Sequence, residues 1–430
     1  MMDPVARFRT ERWTAGVIGL GYVGLPLAMA ASEAGLGVIG YDVAQGRIDT
    51  LAGGSSHVGD VSADQLGAAL ALGAVFTTDA TQLRHADAIF IAVPSPLGRN
   101  RQPDMSFIEA AARLVAEVAR PGQLISLEST TYPGTTEEVM VPAIEAAGLT
   151  LDEDVFVCFS PERVDPGNNM RTVDIPKVVG GVTQRSGEVA AAAYGRLVTS
   201  VHVTSTAHAA ELTKLVENTY RAVNIALVNE LAQVAHAFDV DLWEVIDAAA
   251  TKPFGFQPFY PGPGVGGHCI PLDPQYLAWR AREKHVATRF IDLAEDINSN
   301  MPNWVVDRVR DALNDRGLPV RGTRILLVGM AYKRNISDDR ESPSADVMRH
   351  LDRLGADLGL FDPYVAAEDL ARHGHPIVDS VEASDWSCAI VLTDHDGVDY
   401  AGLAKRVPVV FDTRGIYRRK EVAADNVISL

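Results

Sequence analysis

The stretch from residue 15 to residue 42 constrains the fold more than any other. Ala15-Gly16-Val17-Ile18 is a short apolar run. It enters the turn Gly19-Leu20-Gly21-Tyr22-Val23-Gly24, an alanine-rich helical segment follows over 25–33, and Val38-Ile39-Gly40-Tyr41 is a second apolar run ending on Asp42. Strand, glycine turn, helix and strand in that order make a βαβ unit, the connection parallel strands require. Gly19 permits the tight turn, and Gly21 lets a pyrophosphate approach the backbone at the helix N-terminus, with Tyr22 and Val23 in the same turn. Gly24 lets helix and strand pack closely. An acid about 20 residues further on is the residue that reads a ribose diol. Asp42 holds that position and would repel a 2′-phosphate, so NAD is expected rather than NADP. Arg47 is close enough to reach the adenine side.

Three further apolar runs, 88–93, 124–127 and 155–159, are nearly continuous, as strands covered on both faces are. Each runs into polar residues with proline. Ligands of doubly wound sheets bind beyond the carboxyl ends of the strands. Ser95, Thr131 and Glu162 are therefore site candidates by position. Cys158 lies inside its run and reads as packing.

From about residue 204 the pattern changes. Residues 209–238 have helical periodicity and contain neither glycine nor proline. Lys214 and Asn218, four apart, share a face of this helix. More helix is expected over 242–250, 274–283 and 288–313. Between them lies Tyr260-Pro261-Gly262-Pro263-Gly264-Val265-Gly266-Gly267-His268-Cys269-Ile270-Pro271-Leu272-Asp273-Pro274, with four glycines and four prolines. Such a stretch is expected to be a shaped loop, not a helix or a strand. It carries a thiol, Cys269, and a carboxylate, Asp273. A nucleophile and a water-activating base in one loop is one reading. A small packed cysteine and a helix N-cap at Asp273, with Pro274 at the first helical position, is the other.

The chain of 430 residues carries a net charge of −18, which disfavours non-specific nucleic-acid binding. Its three cysteines are far apart and form no CxxC pair, so neither a disulfide framework nor a metal site is expected. His268 and Cys269 are adjacent and could not chelate one ion well. No leader-like apolar segment is read at the start and no run long enough to span a bilayer, so a cytoplasmic protein is expected.

The last third repeats the α/β pattern, with apolar runs over 324–328, 358–361, 389–392 and 409–411. The first leads into Gly329-Met330-Ala331-Tyr332-Lys333. With one glycine in place of three, a second dinucleotide site is not expected, and Lys333 and Arg340 offer cations instead. The expected fold class is α/β: two Rossmann-like doubly wound parallel-sheet domains joined by a long central helix and helical region. The expected division is 1–203, 204–319 and 320–430.

These motifs give the chain a resemblance to the nucleotide-sugar dehydrogenases, over essentially its whole length. It is carried by Gly19-Leu-Gly-Tyr-Val-Gly24, Ser160-Pro-Glu-Arg163, Glu211-Leu-Thr-Lys-Leu-Val-Glu-Asn218, Gly266-Gly-His-Cys-Ile-Pro-Leu-Asp273 and the segment from Lys333 through Asp338-Asp-Arg-Glu-Ser-Pro343. The resemblance implies oxidation of a sugar C6 alcohol to a carboxylate with two NAD⁺. It also implies an N-terminal NAD domain, a central dimerisation region and a C-terminal UDP-binding domain, in a homodimer or higher homo-oligomer. Cys269 would trap the C6 aldehyde as a thiohemiacetal, and Lys214 and Asn218 would stabilise oxyanions. Asp273, Thr131 and Glu162 would serve deacylation. Lys333 would meet the UDP diphosphate, and Arg340 would reach the NAD phosphates. Arg163, Arg414 and the loop with Tyr260, Gly262, Gly264 and Gly266 would contact substrate. Ser129, His268 and Leu272 stand where UDP-glucose dehydrogenases tend to carry Lys, Ser and Lys. That and the 252–260 segment look more like the UDP-N-acetylglucosamine branch, with UDP-glucose and UDP-N-acetylmannosamine as the alternatives. β-Hydroxyacid dehydrogenases share the Lys-xxx-Asn pair but need no cysteine and use one NAD per turnover. A nucleotide-sugar-binding protein without catalysis is the remaining alternative.

Overall fold

The computed structural model describes residues 3–98, 100–163, 172–267, 269–381 and 385–430. Two compact units emerge, Met1–Glu217 with Gln275–Val286, and Asn218–Pro274 with Ala287–Leu430.

The N-terminal unit is built on an eight-stranded sheet: β1 (Thr14–Ile18), β2 (Gly37–Tyr41), β3 (Val75–Thr77), β4 (Ala88–Ile91), β5 (Gln123–Leu127), β6 (Val155–Phe159), β7 (Lys177–Gly181) and β8 (Val201–Thr204). Their order is β3-β2-β1-β4-β5-β6-β7-β8, so the first six follow the dinucleotide-fold order. The apolar runs explain why the middle strands are buried. Along each, alternate side chains enter opposite faces. Ala88, Phe90, Leu124, Phe156 and Cys158 join one apolar cluster, and Ile89, Ile91, Ile125, Leu127, Val155, Val157 and Phe159 join the other. Each fully buried Ile, Leu or Phe contributes about 1.5–3 kcal/mol. Cys158 is packing, as its run suggested, and burial pushes its thiol up to about 12.

One feature departs from the all-parallel expectation: β7 runs antiparallel to β6, and β8 follows β7 in parallel. The C-terminal unit carries a wholly parallel five-stranded sheet, β9 (Arg324–Val328), β10 (Asp357–Phe361), β11 (Cys388–Val391), β12 (Val410–Asp412) and β13 (Val427–Ser429), in the order β10-β9-β11-β12-β13. Again Ile325 and Leu327 enter one cluster while Leu326 and Val328 enter another.

The long helix expected over 209–238 spans Ala207–Ala237, and the boundary between the units falls within it. The helix Leu242–Ala250 matches its expected bounds. The glycine–proline stretch requires a correction. Residues 260–267 are irregular, but a helix begins at Cys269 and continues to Glu283, so Asp273 is in its second turn and is not an N-cap. Pro271 is tolerated because first-turn N–H groups have no intrahelical acceptor. Pro274 lies inside the helix and removes the N–H that would pair with the Ile270 carbonyl, a loss of about 3 kcal/mol in an isolated helix. The fully buried Tyr276 and Ala278 hold the segment helical through packing. His268 lies outside the described residues. No helix among the described residues is long and apolar enough to cross a membrane.

Candidate active site

In the N-terminal unit the glycine turn separates into two kinds of glycine. Gly19 has φ +89°, and a Cβ there would stand 2.4 Å from the Ala92 carbonyl oxygen. A Cβ on Gly24 would lie 1.8 Å from the Gly19 oxygen. The chain's own packing demands both. A Cβ on Gly21 would meet nothing within 4 Å, so its bareness serves approach from outside the chain. Val23 caps the following helix without a side-chain hydrogen bond, and Tyr22 is exposed. Leu25 already donates its N–H to the Gly21 carbonyl at 3.1 Å and Pro26 has none, so an anion here would be met by the N–H groups of the turn and of Gly24, the first helical residue.

Asp42 is buried at the end of β2. Its Oδ2 accepts from the Leu20 N–H at 2.9 Å and from Arg47 Nη1 at 2.6 Å, and its Oδ1 accepts from the Ala44 N–H at 3.0 Å. Burial alone would raise its pKa; the two N–H bonds and the guanidinium outweigh burial and hold the carboxyl below its ordinary value. Arg47 is thus paired with the acid. A carboxylate has about four acceptor sites, so one remains for a ribose hydroxyl. The turn and its acid fit the adenosine diphosphate half of NAD, whose nicotinamide supplies a hydride acceptor.

Ser95 is half-buried beyond β4. Beyond β5, Lys214 Nζ donates to Thr130 Oγ1 at 2.7 Å, and the buried Thr131 donates to Thr135 Oγ1. Glu211, one turn before Lys214, accepts from the Gly134 N–H at 2.6 Å and from the Thr136 N–H and hydroxyl at 2.8 and 2.7 Å. Burial raises its pKa despite these bonds. Glu211 and Lys214 thus fasten the segment bearing Thr131 to the long helix. Beyond β6, Glu162 accepts from the Arg163 N–H at 2.8 Å and from Lys177 Nζ at 2.8 Å. The Arg163 guanidinium is engaged by Glu217 (Nε–O 3.1 Å, Nη2–O 2.5 Å) and by the Pro176 carbonyl (2.9 Å).

In the C-terminal unit Asn218 Nδ2 donates to Asp273 Oδ2 at 2.5 Å. Asp273 is buried, whereas Cys269, one helical turn before it, is exposed. Thiol and carboxylate share a helix face. The 260–267 loop is held at two points: the Gly262 N–H donates to Asn229 Oδ1 at 3.0 Å, and the Tyr260 hydroxyl to Asp247 Oδ1 at 2.8 Å. A Cβ on Gly262 would stand 2.7 Å from Arg414 Nη1, and Cβ atoms on Gly264 and Gly266 would stand 3.0 and 2.7 Å from the Pro343 ring. The glycines therefore bring Arg414 and the 332–343 segment against the loop. Burial pushes the Arg414 pKa down, and Arg419 adds to this against Asp394 and Asp412. Lys333 is half-buried. Arg340 is paired with Asp338 at 2.9 and 2.7 Å.

Sequence reasoning missed Lys177, which holds Glu162 from behind, and Glu128, which pairs with that lysine. Lys177 opens a short Lys-Val-Val-Gly-Gly run that gives no sign of which way its strand will face. Among the described residues no group of three or more His, Cys, Asp and Glu is placed to hold a metal ion.

The dinucleotide turn with its acid marks the class, an NAD-binding oxidoreductase. Three profiles of the UDP-glucose/GDP-mannose dehydrogenase family match the chain, the NAD binding domain over residues 14–198, the central domain over 208–300 and the UDP binding domain over 326–419. The UDP-N-acetyl-D-glucosamine 6-dehydrogenase of Pseudomonas aeruginosa is 38% identical over 364 residues, covering 84% of this chain and 85% of that protein. A solved UDP-D-ManNAc dehydrogenase from Pyrococcus horikoshii aligns with TM-score 0.86 at 32% identity, over 97% of this chain and 98% of the other. A UDP-glucose dehydrogenase from Pyrobaculum islandicum aligns with TM-score 0.86 at 28% identity, over 97% of each chain. The chain belongs to the UDP-glucose/GDP-mannose dehydrogenase family. It is an NAD-dependent UDP-sugar 6-dehydrogenase.

Proposed function

We propose that the chain oxidises the C6 alcohol of UDP-N-acetylglucosamine to the uronate in two hydride transfers, with the sugar carbon held on Cys269 between them. The observation that carries this reading is the exposed Cys269 one turn before Asp273, whose carboxylate Asn218 holds. Bound NAD⁺ would supply the hydride acceptor for each oxidation. The alcohol loses a proton and a hydride to become the aldehyde, and the Cys269 thiolate adds to it to give a thiohemiacetal. Loss of a second hydride makes a thioester, which water cleaves to the carboxylate and the regenerated thiol. An aldehyde released to water would hydrate and diffuse away, so covalent retention suits a four-electron oxidation.

Lys214 and Asn218 take the role of oxyanion stabilisers, and Asp273, Glu162 and Thr131 direct the hydrolytic water. Gly19, Gly21, Tyr22, Val23, Gly24, Asp42, Arg47, Ser95, Thr131 and Arg340 are the proposed cofactor residues. Glu162, Arg163, Lys214, Asn218, Tyr260, Gly262, Gly264, Gly266, Lys333 and Arg414 are the proposed substrate residues. The N-acetylglucosamine assignment is supported by the sequence features at 252–272 and by the 38% identical relative of that name. The two solved structures cited, named for different sugars, share one TM-score, so overall backbone likeness does not discriminate sugars.

The long helix also exposes Leu212, Val216, Tyr220, Leu227, Leu231 and Val234, with Phe238 just beyond it. This stripe supports a homodimer, which sedimentation would check. A reducing, cytoplasmic location is supported by three cysteines without a disulfide.

The test is a panel of UDP-sugars with NADH counted per sugar, run on wild type and Cys269→Ser. The expected result is two NADH per sugar, the highest kcat/KM with UDP-N-acetylglucosamine, and a loss in the serine variant of about 10³-fold or more in kcat with binding retained. Near-normal turnover in the variant, or one NADH per sugar, would sink the covalent mechanism. A higher kcat/KM with UDP-glucose or UDP-N-acetylmannosamine would overturn the sugar alone.

A further inference from the structure

Beneath Glu162 lies an ionic cluster that the roles above leave unused. Lys177 Nζ stands 2.9 Å from Glu128 Oε2 and 2.8 Å from Glu162 Oε2. The Lys177 and Glu128 side chains are 8% and 0% exposed, and that of Glu162 is 10% exposed. Tyr194 donates its hydroxyl to Glu128 Oε1 at 2.5 Å, and Ser126 Oγ is 2.7 Å from the same hydroxyl. Lys177 Nζ also sits 5.7 Å from the centre of the Tyr194 ring. A buried ammonium is tolerated only when well paired. Glu128 alone would balance its charge, and Glu128 is fully inside. The second arm runs to Glu162, on the loop beyond β6.

The reversed strand explains how the lysine arrives there. Cys158 pairs with Gly181 and Phe159 with Gly180. Continued three residues further, the same antiparallel register sets Glu162 opposite Lys177. In a parallel strand the first residue would lie at the other edge of the sheet, away from the ligand side.

We propose that Lys177 is a positioning residue for thioester hydrolysis, fixing the Glu162 carboxylate as an ionised, oriented group, with Glu128 and Tyr194 anchoring the lysine. This rests on the proposed role of Glu162. The Arg163 N–H donates to Oε1 and Lys177 to Oε2, so both oxygens of the carboxylate are held in place. Glu162 feels the Lys177 ammonium from β7 and the Glu128 carboxylate from the end of β5. Tyr194 and the Cys158 thiol adjoin that cluster, and the Arg163–Glu217 pair lies on the helix side. Removing the ammonium leaves two carboxylates facing each other, and removing the Glu128 charge leaves the ammonium to Glu162 alone. The two changes therefore act on Glu162 with opposite sign.

The experiment uses the full-length enzyme with UDP-N-acetylglucosamine and NAD, and compares Lys177→Met, Lys177→Arg, Glu128→Gln and Glu162→Gln. In Lys177→Met, kcat is expected to fall about 10–100-fold, the usual cost of losing a group that orients a reacting one, with both KM values little changed. The acid limb of its kcat–pH profile moves to higher pH. Acid-quenched enzyme gains mass on Cys269, because hydrolysis has become slower than acylation. Lys177→Arg restores most of kcat. Glu128→Gln moves the acid limb the other way, and it carries the test if Lys177→Met does not fold. An unmoved limb in the folded Lys177 or Glu128 variants, or no adduct in Lys177→Met, overturns the proposal while Glu162→Gln remains impaired. Wild-type turnover in Glu162→Gln instead overturns the role of Glu162 on which it rests.

Discussion

The turn after β1 and the turn after β9 share one plan and differ in how their acids are used. Gly19 and Gly329 both have φ +89°. Their N–H groups donate to Tyr41 O at 2.9 Å and Phe361 O at 2.8 Å, the last residues of the neighbouring strands. A Cβ on either would lie 2.4 Å from a backbone oxygen, of Ala92 or of Thr393. In each case an aspartate just past that neighbouring strand accepts the next N–H: Asp42 from Leu20, and Asp362 from Met330 and Ala331 at 2.7 and 2.9 Å. Asp42 has three partners in all. Asp362 has five, adding His395 Nε2 at 3.0 Å and the N–H groups of Tyr364 and Val365 at 2.8 and 3.1 Å. The Asn335 N–H donates to His395 Nδ1 at 3.0 Å, which puts the imidazole proton on Nε2. A carboxylate has about four acceptor sites. Asp362 is therefore saturated as an internal clasp, while Asp42 keeps one site for a ligand. The position of an acid at the end of the second strand does not by itself make a ribose reader; what its own chain leaves over does.

The largest effect separating the two turns should come from Asp362→Ala. It strands a buried histidine and four backbone N–H groups, each unpaired polar group costing about 1–3 kcal/mol where water cannot reach it. A loss of at least about 4 kcal/mol is expected, read as a lower denaturation midpoint. His395 and the backbone N–H bonds outweigh burial and hold the Asp362 carboxyl below its ordinary value. A depressed folded pKa means the stabilisation is complete above the unfolded value near 4 and is lost as pH falls through the lower folded value. Wild type should therefore lose this part of its stability in acid, and the variant should show a flatter acid limb. An unchanged midpoint would remove the distinction between clasp and reader.

Next in size are the glycines. Gly19→Ala and Gly329→Ala each combine a positive φ with a backbone clash and should each destabilise by about 2–4 kcal/mol. Gly21→Ala meets no atom, so its midpoint should hold while KM for NAD rises. Equal destabilisation by all three would mean that Gly21 serves the fold and not the cofactor.

The smallest effect is Asp42→Ala. It should weaken NAD use by about 1.5–3 kcal/mol, one charge-assisted hydrogen bond, and relax the preference over NADP. Equal kcat/KM for the two cofactors in wild type would remove Asp42 from the reading of the ribose.

Much of this was legible along the chain because it is local. The β1 turn, the buried runs of β4 to β6, the long helix and the Lys214–Asn218 spacing follow from period, glycine placement and residue type over a few residues. Cys269 and Asp273 were legible as chemistry, but their helix was not. Pro274 argues against it locally, and the burial of Tyr276 and Ala278 opposes that cost. The short strands β3, β7, β8 and β13 left no clear apolar alternation to read.

By itself the sequence determined the βα units, the dinucleotide turn with its acid, and a thiol and a carboxylate four residues apart. Those depend on backbone permission and on spacing along a helix or strand, which the chain carries wherever it goes. Only the tertiary structure decided that β7 runs backwards, that Lys177 thereby meets Glu162, and that Asp362 is saturated while Asp42 is not. Strand direction and hydrogen-bond occupancy are set by partners far away in sequence. Lys177 and Glu128 lie 49 residues apart, and Asp362 and His395 lie 33 apart. No local pattern records which of them will meet.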